Sequence, residues 1–183
     1  MLIFTADIAD IPDERVTDAT GSGADVSNYV EIRLDSAADQ KAIGRQGERV
    51  VYNYLMARRG SALTKRAGDG DDGGVSETIE DVKWLNEEQE TGAPYDIQLT
   101  TLTNTTDGRV TKVRYIEVKA TMSDSKMYFE TSARELKFAC DQGDKYDLYR
   151  VFNVGNEDRI KLIKLQNVAR GLDEKYMRVF MVV

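Results

Sequence analysis

"PYDIQ" (residues 94–98) and "YIEVKAT" (residues 115–121) put Asp96, Glu117 and Lys119 inside segments that otherwise read as buried strands. Side chains two apart on a strand point the same way. Glu117 and Lys119 therefore share a face with Val113 and Tyr115, while Ile116 and Val118 point to the other. Both faces are partly apolar, which predicts an interior strand over residues 110–121. Asp96 belongs to the preceding strand, "YDIQLTTL", with Tyr95, Ile97 and Leu99 expected on the face opposite to it. The spacing between Asp96 and Glu117 leaves room for two strands and a turn, so a meander lets the two carboxylates converge.

Convergence has a chemical consequence. Buried carboxylates are costly unless something positive meets them, and two that approach each other raise one another's pKa. A hard cation such as Mg²⁺ relieves both problems and needs few protein ligands, because water completes its shell. A nearby lysine can orient a water or stabilise charge on a phosphate. The pattern points to metal-assisted hydrolysis of a phosphodiester, although an E-x-K taken singly is more often a solvated pair.

Composition narrows the chemistry. The 183 residues fit one domain, at 41% hydrophobic and 31% charged. Histidine is absent, which removes Ser-His-Asp and Cys-His catalysis and the common zinc sites. The lone cysteine, Cys140, forms no internal disulfide, is expected on the apolar side of a helix, and fits an intracellular, cytoplasmic or nuclear protein. No apolar run reaches membrane-spanning length, and the acidic N-terminus lacks the marks of a signal or transit peptide. The net charge is −7. Residues 66–96 carry ten acids against two bases, whereas residues 109–137 carry seven bases and four acids. A modest basic face near residues 115–121 is thus compatible with nucleic acid, but strong affinity from this chain alone is not expected.

Residues 1–36 read as a variable segment with strand candidates at "MLIFTADIA" and "YVEIRL" around a Gly/Ser/Asp-rich loop. The domain proper is expected over residues 37–183. Residues 37–59 read as a helix with Ile43, Gly47, Val50, Val51, Tyr54 and Leu55 on one side, Glu48 at the border, and Gly60 as the stop. Residues 60–81 read as a flexible acidic loop. "GDGDDGG" departs from the calcium-loop spacing and lacks the Gly-Lys-Ser/Thr end of a phosphate loop. "DVKWLNEE" reads as a short strand and "NTTDGR" as a turn. Ser132 and Glu135 form a capping box opening a helix that Gly143 ends, with Leu136, Ala139 and Cys140 toward the core. "YDLYRVFNV", "RIKLIKL" and "MRVFMVV" read as strands, with a short helix at residues 166–172. The expected fold is α/β, a central mixed sheet flanked by helices.

The ordered set of a helical Glu, then P-x-D, then E-x-K resembles the PD-(D/E)xK nuclease superfamily, with its restriction-endonuclease-like core. A closer resemblance is to the NO VEIN C-terminal domain family, through "GRQGERVVYNYL", "VKWLNEEQETGAPYDI", "YIEVKAT", "FETSARELKFA" and "YDLYRV". Pro94 and Asp96 have Tyr95 between them, a spacing shared with the close relatives. The resemblance implies a site at one edge of the sheet. In it Asp96 and Glu117 would be the ligands of Mg²⁺ (or Mn²⁺), with the Val118 carbonyl able to join them. Lys119 would be the catalytic lysine and Glu48 a supporting acid. It also implies a larger parent chain carrying an ATPase or helicase. Arg45, close to Glu48, and Thr121 are candidate substrate contacts. Trp84 and Asn86 are weaker ones, since Trp84 is expected to pack in the core, and Arg114 is expected to be an exposed charge. The alternative function is a catalytically silent module binding nucleic acid or a protein within a larger machine.

Overall fold

The structure, a computed structural model, describes residues 2–6, 37–63, 77–105, 108–175 and 177–181. The strand expected at residues 29–34 and the "GDGDDGG" run lie outside them.

Helix α1 runs over Ala37–Met56 and buries Gly47, Val51 and Leu55, the centre of the predicted stripe. It ends three residues earlier than expected. The expected acidic loop is partly sheet: β2 is Ala62–Leu63 and β3 is Glu77–Trp84. β4 is Ile97–Thr105 and β5 is Gly108–Ala120. These two pair out to Thr105↔Gly108, so residues at both ends of the expected turn "NTTDGR" belong to the strands. The short strand β6, Phe129–Thr131, precedes helix α2, Ala133–Gln142. Both sides of the predicted capping box form, and Gly143 ends α2 at φ 59°, where a side chain would be strained. β7 is Tyr146–Phe152, β8 is Lys161–Leu165, α3 is Val168–Asp173 and β9 is Met177–Met181.

The main sheet has the order β2-β3-β4-β5-β7-β8. Every pairing is antiparallel except β5 with β7, whose parallel alignment needs the crossover supplied by β6 and α2. All seven residues of β7 are buried, as befits a strand covered on both faces. The N-terminal strand β1, Leu2–Ala6, lies between β6 and β9 in a second sheet of three strands. It is thereby tied to the domain from which the residue-36 boundary had separated it.

Two cores sandwich the main sheet. One packs α1 on Ile97, Leu99, Ile116, Val118 and Val151; the other gathers Phe129, Ala139, Tyr146, Leu148, Leu165, Val168 and Met177. Tyr95 packs in the second core, so it does not share a face with Ile97 and Leu99 as expected. The reason is that β4 begins at Ile97, and the two-residue period does not extend back across Asp96. Cys140 is exposed, because α2 turns Ala139 inward and lays Phe138 against Tyr95, Tyr115 and Tyr146. Arg114 is not a free surface charge. It pairs at 2.6 Å with Asp147, which is 1% exposed and also accepts the Asn167 amide.

α1 lies close on β5 because Gly47 has no side chain. A Cβ there would stand 2.4 Å from the Ala120 Cβ and 3.6 Å from a Val118 methyl. Gly47→Ala should gain about 1 kcal/mol of helix propensity yet lose ~1–3 kcal/mol to overpacking, for a net drop in unfolding midpoint. Ala120→Gly in the same chain should restore it. Urea melts test this, and a Gly47→Ala protein as stable as the wild type would show that the helix can back away at no cost.

Candidate functional site

The sheet delivers three of the sequence-predicted residues to one place. The pairing Ile97↔Ile116, continued one step, sets Asp96 across from Glu117. The Asp96 amide donates to the Ile116 carbonyl at 3.0 Å, and the Val118 amide donates to Asp96 Oδ2 at 2.8 Å. Lys119, two residues beyond Glu117 on the same face, reaches back to Glu117 Oε1 at 2.7 Å. The expected sharing of a face by Glu117 and Lys119 is what the structure has.

Glu48 joins from α1 by way of intermediaries. Its Oε2 accepts the Trp84 indole N–H at 2.6 Å and the Asn86 Nδ2 at 3.3 Å. The same Nδ2 donates to Asp96 Oδ1 at 2.9 Å. Asn86 is 4% exposed, and its Oδ1 takes the Thr91 amide and hydroxyl. The amide is thus spanned between two carboxylates and anchored at its other end. Trp84 packs in the core, as expected, and Asn86 holds acids rather than facing outward.

Two expected substrate contacts are otherwise engaged. Arg45 donates to the main-chain carbonyls of Asn86 and Glu87 and lies over the Trp84 ring, so it clamps the loop that carries Asn86. Thr121 is 9% exposed, and its hydroxyl accepts the Ser123 amide within a local turn.

Glu135 is a residue that sequence reasoning read only as a helix cap. Its Oε2 lies 3.1 Å from Lys119 Nζ, so the lysine sits between two acids on two different elements. The signal available was that a lysine forced into a buried face calls for more than one anion, and α2 follows soon after in the chain.

The electrostatics follow from burial. Asp96 is pushed up to about 7 by burial, with Glu48 adding to the rise and the Val118 amide and Lys119 opposing it. Glu117 is raised well above the usual carboxylate range, again by burial first, against the pull of Lys119. Burial would lower Lys119, but Glu117 and Glu135 hold it above its ordinary value, so it stays cationic. Glu135 is held below the usual range despite burial, by Lys119, the Ser132 amide and the Thr131 hydroxyl. Tyr146, whose hydroxyl donates to the Pro94 carbonyl, is raised by burial and by the neighbouring acids. One ammonium thus serves several carboxylates, and two of those lean toward protonation.

Among the described residues no three acidic, cysteine or histidine ligands converge on one point. Mg²⁺ asks for less: one or two carboxylates with water and substrate oxygens. Buried Glu117 and half-buried Asp96, two carboxylates with a shortage of positive charge, fit that demand.

A family model described as Protein NO VEIN, C-terminal, matches residues 47–163. The chain belongs to the NO VEIN C-terminal family. It is 31% identical over 147 residues to Protein NO VEIN of Arabidopsis thaliana, covering 80% of this chain and 4% of that protein. It is 30% identical over 147 residues to Protein NO VEIN-LIKE of the same plant, covering 80% of this chain and 18% of that protein. The chain therefore spans a small part of the curated relatives it matches. No solved structure matches it. The stretch assigned to the NO VEIN family includes Glu48, Asn86, Asp96, Glu117, Lys119 and Glu135 together. No helix among the described residues is long and apolar enough to cross a membrane.

Proposed function

We propose that this NO VEIN C-terminal domain is a metal-dependent nuclease of the PD-(D/E)xK kind with a restriction-endonuclease-like core. It would hydrolyse phosphodiester bonds in DNA, with RNA as the second choice. One observation carries the reading: Asp96, just before β4, stands across from Glu117 on β5 with Lys119 2.7 Å from Glu117, and Glu117 is buried while Asp96 and Lys119 are half-buried. A purely structural role needs no such arrangement, since apolar side chains in the same places are as stabilising as a buried ion pair or more so. The mixed sheet with α1 on one face and α2 on the other agrees with the core that the resemblance implies.

Asp96 and Glu117 would hold a divalent cation, Mg²⁺ or Mn²⁺, which when bound supplies a Lewis acid for the phosphate and an acidified water. Lys119 provides a fixed positive charge where negative charge grows on the phosphate oxygens. Asn86 keeps Asp96 and Glu48 in register. Water adds to phosphorus, and the phosphorus bond to one sugar oxygen breaks. The acidic balance of the chain leaves substrate capture to another domain or subunit. That same balance favours a second reading, a silent module that binds nucleic acid or a protein partner within a larger ATPase- or helicase-containing protein.

The deciding experiment incubates the chain with plasmid, linear duplex, single-stranded DNA and RNA in Mg²⁺, Mn²⁺ or EDTA, beside Asp96→Ala. Metal binding is followed by calorimetry. Cutting that needs metal, together with metal affinity lost in Asp96→Ala, is the expected result. Metal affinity without cutting on any substrate moves the assignment to the silent module.

A further inference from the structure

We infer that Glu135 is a positioning residue for Lys119, so that the first turn of α2 sets where the ammonium points. Its consequence for cleavage rests on the nuclease reading above; its geometry does not. A single oxygen, Glu135 Oε2, receives three donors: Lys119 Nζ at 3.1 Å, the Ser132 amide at 2.8 Å and the Thr131 hydroxyl at 2.8 Å. In return the Ser132 hydroxyl accepts the Glu135 amide at 3.1 Å. Capping the helix requires only the exchange between Ser132 and Glu135. The Thr131 and Lys119 contacts exceed that need, and the lysine contact joins α2 to β5.

A lysine side chain is long and its charge is a point on a flexible stem. Glu117 alone would not fix it, because Glu117 rides on the same strand. Glu135 rides on a different element and is itself held by two donors from residues 131 and 132. Two of the ammonium's three protons then have fixed acceptors on β5 and α2. Tetrahedral geometry fixes the direction of the third. Glu135 touches no reacting atom in this scheme and acts through Lys119.

Capping and positioning can be separated. Ser132→Ala weakens the cap and leaves the carboxylate on Lys119. Glu135→Ala removes both functions. Glu135→Gln keeps an oxygen acceptor for the lysine and for the Ser132 amide. We expect Glu135→Ala to lower kcat at least about 10-fold with KM little changed, as misplacement of a catalytic group does. Glu135→Gln should recover most of that loss, and Ser132→Ala should melt earlier yet cut like the wild type. The ¹⁵N resonance of the Lys119 ammonium should shift or broaden in Glu135→Ala and stay in place in Ser132→Ala. Equal kcat losses in Ser132→Ala and Glu135→Ala would reduce Glu135 to a cap and overturn the inference. If the wild-type chain cuts nothing, the nuclease reading fails by itself. The ammonium resonance then decides the positioning role, and an unchanged signal in Glu135→Ala overturns it.

Discussion

Lys119→Met should lose metal-dependent cleavage by about 10²–10³-fold while the protein still folds. Methionine roughly matches the lysine stem in length and shape, so packing on β5 is largely kept and the ammonium is the main thing removed. Glu117, 6% exposed, then has lost its 2.7 Å partner. Removing one member of a buried ion pair costs ~3–5 kcal/mol when the other stays charged. Glu117 already leans strongly toward its neutral form, so it escapes most of that cost by taking a proton. Lys119→Met should therefore be markedly less stable than the wild type at pH 8 and much closer to it at pH 5. Lys119→Arg should not restore cutting, because a planar fork does not occupy the two directions that an ammonium does between Glu117 and Glu135. Single-turnover cleavage and urea melts at the two pH values give both readouts. A Lys119→Met protein that cuts at the wild-type rate removes Lys119 from the chemistry.

The part of this site that was legible in the sequence is the part that strand geometry dictates. Glu117 and Lys119 are two apart on β5, and Asp96 stands immediately before the neighbouring strand β4, so the spacing and the order of strands were enough to bring them together. Asn86 was legible only as a weak candidate contact, Glu135 only as half of a helix capping box, and nothing in the sequence singled out Asp147. Asn86 is useful because a turn places it between α1 and β4, and Glu135 because α2 crosses from β5 to β7. Asp147 meets Arg114 across 33 residues of chain through the parallel β5–β7 pairing. No local pattern announces a contact of that kind. Cys140 shows the same limit on a helix. Periodicity left it beside Ala139 at the edge of an apolar stripe, and the aromatic packing of Phe138 decided which edge went inward. The strand β6 was missed because three residues carry no periodicity, and its partner β1 is more than a hundred residues away.

In the presence of a chelator, the wild-type chain should lose stability as pH rises from about 4 to about 7. Folded Asp96 titrates at about 7 against an ordinary value of 3.8. Between those values the folded chain keeps a proton that the unfolded chain has released, so each pH unit costs up to about 1.4 kcal/mol, roughly 4 kcal/mol across the window. Glu117, also raised, adds with the same sign. Glu135, lowered, stabilises above the ordinary carboxylate range and is lost only at more acid pH. Lys119, raised, keeps its contribution until far above this window. The clean measurement is the difference between the wild type and Asp96→Asn. Asparagine keeps one acceptor oxygen and turns its NH2 toward one of the two donors, Asn86 Nδ2 or the Val118 amide, at a cost independent of pH. The slope of the difference therefore isolates the titration. The wild type should fall relative to Asp96→Asn by ~1 kcal/mol per pH unit between pH 5 and 7, and parallel curves would mean that Asp96 is ionised throughout. Saturating Mg²⁺ should flatten the wild-type curve, because a divalent cation answers the same deficit of positive charge that the proton answers in its absence. A slope equally steep with and without Mg²⁺ would separate the buried acids from metal binding and leave them as an ion-pair network.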